Sequence, residues 1–107
     1  MAAPDETPLF STLATDPDMI ELVEDFVAAL PERVQAVERA LQAGEPEVLR
    51  RLSHQLKGAS GGYGFDVIGR AAAELEDSVK AAASLAELTR RVNDLAALCR
   101  RARVGAD

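Results

Sequence analysis

The chain has 107 residues, 48% hydrophobic and 28% charged, with one histidine, one cysteine and a formal charge of −6. That length supports a single core rather than two, and an acidic balance argues against a nucleic-acid binder. A lone Cys99 and a lone His54 leave neither an intramolecular disulfide nor a zinc set. No apolar run is long enough to span a bilayer and no charged-then-apolar leader opens the chain, so a cytoplasmic protein without membrane contact is expected. The charge is uneven: residues 1–49 carry eleven acids and two bases, residues 50–107 seven acids and ten bases.

Residues 1–15 contain Pro4 and Pro8 and read as an N-terminal arm, with Leu9, Phe10 and Leu13 forming one short turn that caps a bundle end. Asp16-Pro17-Asp18 has the form of a helix start, with Asp16 as N-cap and Pro17 at the first helical position. Met19, Val23, Phe26, Val27, Leu30, Val34, Val37 and Leu41 then hold one apolar stripe. The stripe passes through Pro31, where a kink is expected. Gly44 ends this helix and Glu45-Pro46 begins the next, which runs through His54 to about Gly62. Gly64 supplies the turn. Asp66 is placed to cap a third helix with its face at Ile68, Ala71, Ala72, Leu75, Val79 and Ala82. Ser84-Leu85-Ala86-Glu87 resembles a capping box. The last helix would bury Leu85, Leu88, Val92, Leu95, Ala96 and Cys99, with Arg100, Arg101 and Arg103 at its C-terminal end. Leu98 falls off that stripe and reads as exposed. Residues 16–104 thus predict an all-α, antiparallel up-down four-helix bundle, one domain, with residues 1–15 as its short capping segment.

The most informative stretch is Ser53-His54-Gln55-Leu56-Lys57-Gly58-Ala59-Ser60-Gly61-Gly62-Tyr63-Gly64. Leu49, Leu52, Leu56, Ala59 and Tyr63 mark the inner face of its helix. At about 100° per residue, His54 lies on the opposite, solvent side. Arg50, Lys57, Gly58 and Gly61 share that side at helical-neighbour offsets. An exposed imidazole has a pKa near ~6.5 and is largely a neutral nucleophile around pH 7. Lys57 is a flexible ammonium able to balance an anionic group on the ring. A glycine inside a helix costs about 1 kcal/mol relative to alanine. Gly58, a full turn inside, therefore suggests a site where a partner must come close.

No glycine-rich loop with a following Lys-Ser/Thr cradles a nucleotide, and no Glu-x-x-His pairs point to a di-metal site. Ser53 and His54 diverge by about 100° on the helix and cannot form a serine–histidine couple. A self-contained enzyme with its own ATP or metal site is not expected.

His54-x-Leu56-Lys57-Gly58, with Ser60, Gly64, Ile68 and Leu75-Glu76, resembles the histidine-containing phosphotransfer (HPt) domain of two-component phosphorelays. The likeness extends from about Asp16 to Arg103. It implies a phosphorelay intermediate in which His54 takes a phosphoryl group from a receiver domain's phosphoaspartate and passes it to another receiver's aspartate. Lys57 would steady the phosphoryl group and Gly58 would leave room for the receiver, whose acidic pocket would supply Mg²⁺. Tyr63 and Phe65 depart from the family's usual aliphatic and small residues and are expected to bear on partner choice.

Arg50, Arg51 and Lys57 are expected to form a basic rim that docks an acidic receiver face, with Gly58 and Gly61 part of the contact. The partners implied are receiver domains of response regulators or hybrid histidine kinases, met by a stand-alone monomer. The competing reading is a bundle adaptor that binds a receiver, or another signalling protein, without taking phosphate. A dimerising phosphoacceptor domain of a histidine kinase ranks below both, because no ATP-binding module accompanies it here.

Overall fold

The computed structural model describes residues 7–105, and most of them lie in four helices. They are α1 (Ile20–Gln42), α2 (Pro46–Gly62), α3 (Asp66–Lys80) and α4 (Leu85–Arg100). Each packs on the next and α4 closes back on α1, giving the all-α up-down bundle that the periodicity requires.

The first three helices end in the same way, and their endings set the loop lengths. Gly44 N–H donates to Leu41 O while Glu45 N–H donates to Ala40 O, with Gly44 at φ +66°. Gly64 and Phe65 repeat the pattern on Gly61 O and Ser60 O, with Gly64 at φ +85°. This Schellman arrangement satisfies carbonyls that the helix leaves without a donor. The third copy puts Ala82 at φ +55°, donating to Val79 O, with Ala83 N–H on Ser78 O. Ala82 therefore sits exposed in a turn rather than on the apolar stripe expected for it.

Helix starts follow the sequence less uniformly. Pro46 opens α2, and Ser84 Oγ accepts from Glu87 N–H at 3.1 Å to cap α4, both as the sequence predicts. α1 begins at Ile20 rather than Pro17. Asp16 Oδ1 accepts from Asp18 N–H at 2.9 Å, and its carbonyl accepts from Met19 and Ile20 N–H at 3.0 Å. Asp16 thus organises a turn that leads into the helix. Asp66 is the first residue of α3, with buried Phe65 in the cap position. α1 runs as one element through Pro31, which lies on its exposed face.

Val23, Phe26, Leu30, Val37, Leu49, Leu56, Ile68, Leu75, Val92 and Leu95 form the core. The Phe26 ring lies tilted at 5.2 Å from that of Tyr63 and stacked at 5.8 Å from that of Phe65. Of the two aromatics expected to bear on partner choice, Phe65 is buried in the core and Tyr63 is half-buried and packed against it. Two exposure readings are also corrected. Leu85 is 68% exposed, because it opens α4 beyond the edge of the core. Leu98 is half-buried and packs against the core. Cys99 is buried, as its place on the stripe predicts. Burial pushes its thiol up to about 12 against a smaller opposing pull from Arg100, which keeps it an inert core group.

The N-terminal segment forms a strand where a turn was expected. β1 (Leu9–Phe10) pairs in parallel with β2 (Ala102–Arg103), Leu9 opposite Ala102 and Phe10 opposite Arg103. Period-two alternation explains it: Leu9 packs on the core and Ala102 is buried, while Phe10 and Arg103 face out. Ser11 Oγ then donates to Tyr63 O at 2.7 Å, and Thr12 N–H to Gly64 O at 3.0 Å. The segment does cover one bundle end, with Leu9 and Phe10 in main-chain pairing and Leu13 in a turn just after them, packed against the core. Pro4, also read as part of the arm, lies outside the described residues.

Candidate functional site

The site is built on the seam between α2 and α3. The inner face of α2 consists of Leu49, Ser53, Leu56 and Ser60, while Leu52 and Ala59 lie at its half-buried margin. Ser53 Oγ donates to Leu49 O at 2.7 Å, which lets a hydroxyl sit in the core. Opposite, α3 presents Gly69, where a Cβ would lie 3.5 Å from Lys57 O and 3.7 Å from Ser60 Cβ. Serine, glycine and alanine along this line let the two helices approach closely. Close approach slides Glu76 of α3 beneath the side chains of α2.

Glu76 is the centre of the arrangement. Its side chain is 2% exposed, covered by three side chains that remain substantially in water. Oε1 accepts from Lys57 Nζ at 3.1 Å. Oε2 takes His54 Nδ1 at 3.0 Å and Lys80 Nζ at 3.5 Å. Burial alone would raise the Glu76 carboxyl. The hydrogen bonds from Lys57 and His54, with the charges of Lys57 and Lys80, outweigh it and hold the group below the usual carboxylate range. Glu76 is therefore ionised at neutral pH.

An ionised carboxylate only accepts hydrogen bonds. The proton in the His54–Glu76 contact thus resides on Nδ1, and in the neutral ring Nε2 carries the lone pair. His54 is 61% exposed, on the solvent side that the helical phase assigns to it. Nε2 makes no hydrogen bond among the described residues. The result is an imidazole held in one tautomer with its nucleophilic nitrogen free.

Of the residues singled out from sequence, His54 and Lys57 meet at Glu76. Gly58 and Gly61 are exposed on the same face, and a Cβ at either would meet nothing within 4 Å. Arg50 is drawn to Glu47 at 3.5 Å, and Arg51 is exposed on the same helix. An open groove of about 500 Å³ lies alongside, lined by Lys57, Gly61, Asp66, Gly69, Arg70 and Ala73. The sequence reading assigned no role to Glu76 and passed over Lys80 altogether. The available signal was an acid following Leu75 on the apolar edge of a helix, with a lysine four residues on.

The helical bundle thus offers one exposed histidine, backed by a carboxylate and an ammonium. The model of the Hpt domain family matches residues 21–104. The chain belongs to this histidine-containing phosphotransfer family, whose members serve as phosphotransfer intermediates in two-component signalling. Comparison with curated proteins and with solved structures finds no match. Among the described residues, no helix is long and apolar enough to cross a membrane.

Proposed function

We propose that His54 is the phosphoacceptor of a phosphorelay, taking a phosphoryl group from one receiver domain's phosphoaspartate and yielding it to another's aspartate. The observation that carries this reading is the Nδ1–Glu76 hydrogen bond at 3.0 Å beneath an exposed ring. In the forward step, the Nε2 lone pair attacks phosphorus and a P–N bond forms. The acyl P–O bond breaks, and the receiver's aspartate leaves as a carboxylate with the electron pair. Nδ1 keeps its proton throughout, so the ring becomes cationic and Glu76 offsets that charge. On the return step neutral imidazole leaves, not imidazolate, which keeps the transfer reversible.

Phosphoryl transfer depends mainly on alignment and charge stabilisation. Lys57, 41% exposed and on the turn that follows His54, supplies a cation to the phosphoryl oxygens. Mg²⁺ and the acidic pocket belong to the receiver, so the chain acts as an intermediate without an ATP site. Arg50, Arg51, Gly58 and Gly61 form the docking surface, the glycines leaving room that nothing in the bundle fills. The protein works as a cytoplasmic monomer in this reading.

The test is incubation with a phosphorylated receiver domain, comparing the wild type with His54→Gln. Acid-labile, base-stable label on the wild type alone is the expected result. Binding without label on either would replace the relay with the adaptor reading.

A further inference from the structure

Phosphorylation changes the charge at the seam by more than Lys57 alone can balance. A phosphoryl group brings roughly −1.5 to −2 at neutral pH. Before it arrives, Glu76 holds two ammonium groups, Lys57 on Oε1 and Lys80 on Oε2. Lys80 shares that oxygen with His54 Nδ1, so it stands beside the imidazole, across the seam from Lys57. The two lysines come from different helices, are 41% and 55% exposed, and have Glu76 as their one anionic partner among the described residues. Arg50 differs, since its partner is Glu47, two turns back along α2 from the histidine.

We propose that Lys80 is a second phosphoryl-binding residue, resting on the assignment of His54 as acceptor. When the phosphoryl group lies on Nε2, the Lys80 ammonium swings from Oε2 to the phosphoryl oxygens, as Lys57 does from Oε1. Glu76 holds both cations in readiness and keeps its bond to Nδ1. The group on His54 is thereby held by one cation from each helix of the seam. The plainer role for a lysine in the last turn of α3 is to complement the helix dipole and neutralise Glu76. That role predicts effects on stability but none on the arriving phosphoryl group once Glu76 is uncharged.

Phosphoramidate, a small donor, makes the distinction without a partner protein. Nε2 attacks its phosphorus, the P–NH₃⁺ bond breaks, and ammonia leaves with the electron pair. The initial rate of phosphohistidine formation would be measured for wild type, Lys80→Ala, Lys80→Arg, Glu76→Gln and Glu76→Gln with Lys80→Ala, at low and high salt. Lys80→Ala is expected to slow labelling about threefold or more at low salt, with a smaller effect at high salt. Lys80→Arg should restore most of the rate. The slowing should persist when Lys80→Ala is added to Glu76→Gln. Equal rates for the wild type and Lys80→Ala would overturn the proposal, as would an effect that vanishes in the Glu76→Gln background. No label on wild-type His54 would instead remove the acceptor assignment beneath it.

Discussion

The two halves of the bundle are built by different rules. Where α1 meets α4 the interior is large and apolar, with Phe26, Leu30, Val37, Val92 and Leu95 all buried. Along the α2–α3 seam the buried set includes Ser53, Ser60, Gly69, Ala72 and Glu76. The first half stabilises by apolar area removed from water. The second buries Leu49, Leu56, Ile68 and Leu75 as well, but sets small residues beside them, and the resulting close approach brings a carboxylate on one helix under a histidine on the other. Both sides hold the bundle together, and only the α2–α3 side is also set up for chemistry.

The largest effect should come from truncation on the apolar side. Leu30, almost wholly buried, should cost roughly 2–5 kcal/mol as Leu30→Ala, through lost transfer energy and the cavity left behind. Ser60→Ala removes a seam hydroxyl that is buried with no hydrogen-bond partner among the described residues. Deleting it should be neutral or stabilising, within about 1 kcal/mol. Denaturant midpoints of the two variants measure the contrast. A costly Ser60→Ala would mean that the seam relies on its hydroxyls as much as the other half relies on leucine.

Two glycines divide the same way. At Gly64, φ is +85° and a Cβ would lie 2.5 Å from Ser11 Oγ and 2.8 Å from Thr12 N. Gly64→Ala should therefore cost roughly 2–4 kcal/mol, from left-handed strain and from displacing the N-terminal segment. At Gly58 nothing lies within 4 Å of a built Cβ. Gly58→Ala should raise stability by about 1 kcal/mol through helix propensity. On the proposed docking surface the same methyl should slow transfer from a phosphorylated receiver. Thermal melts together with transfer rates separate the two effects, and a Gly58→Ala variant both more stable and equally fast would remove Gly58 from the docking surface.

This division also explains what could be read in advance. The apolar half announces itself by period, so the Val23-to-Leu41 stripe, the four helices and the outward phase of His54 follow from spacing alone. Gly44 and Gly64 mark their turns because only glycine takes positive φ cheaply. The seam was only partly legible because, beside Leu49, Leu56, Ile68 and Leu75, its interior holds serines and an acid, types usually read as surface. A serine whose hydroxyl bonds back to its own helix, and an acid covered by the cations it binds, carry no apolar signature. Glu76 is buried only because Lys57, Lys80 and His54 fold over it, a tertiary fact that no local pattern encodes. The β1–β2 pairing escaped for a similar reason: two residues at each end of the chain are too short to show a period, and their partners lie over ninety residues apart.

The smallest expected effect tests the seam's charge directly. In the unfolded chain the Glu76 carboxyl titrates near its ordinary 4.5, whereas in the fold it is lowered. A lowered folded value means that the ionised group stabilises the native state, fully above 4.5 and progressively less as the pH falls through the folded value. Because all three partners are partly in water, the contribution at pH 7 should be small beside that of a core leucine. Glu76→Gln removes the charge while keeping the shape. Urea midpoints should then show the wild type ahead at pH 7 and the gap closing on the way to pH 3. A gap of constant size would mean that Glu76 stabilises the seam by packing alone, and the carboxylate would lose its claim to hold the His54 ring in a single tautomer.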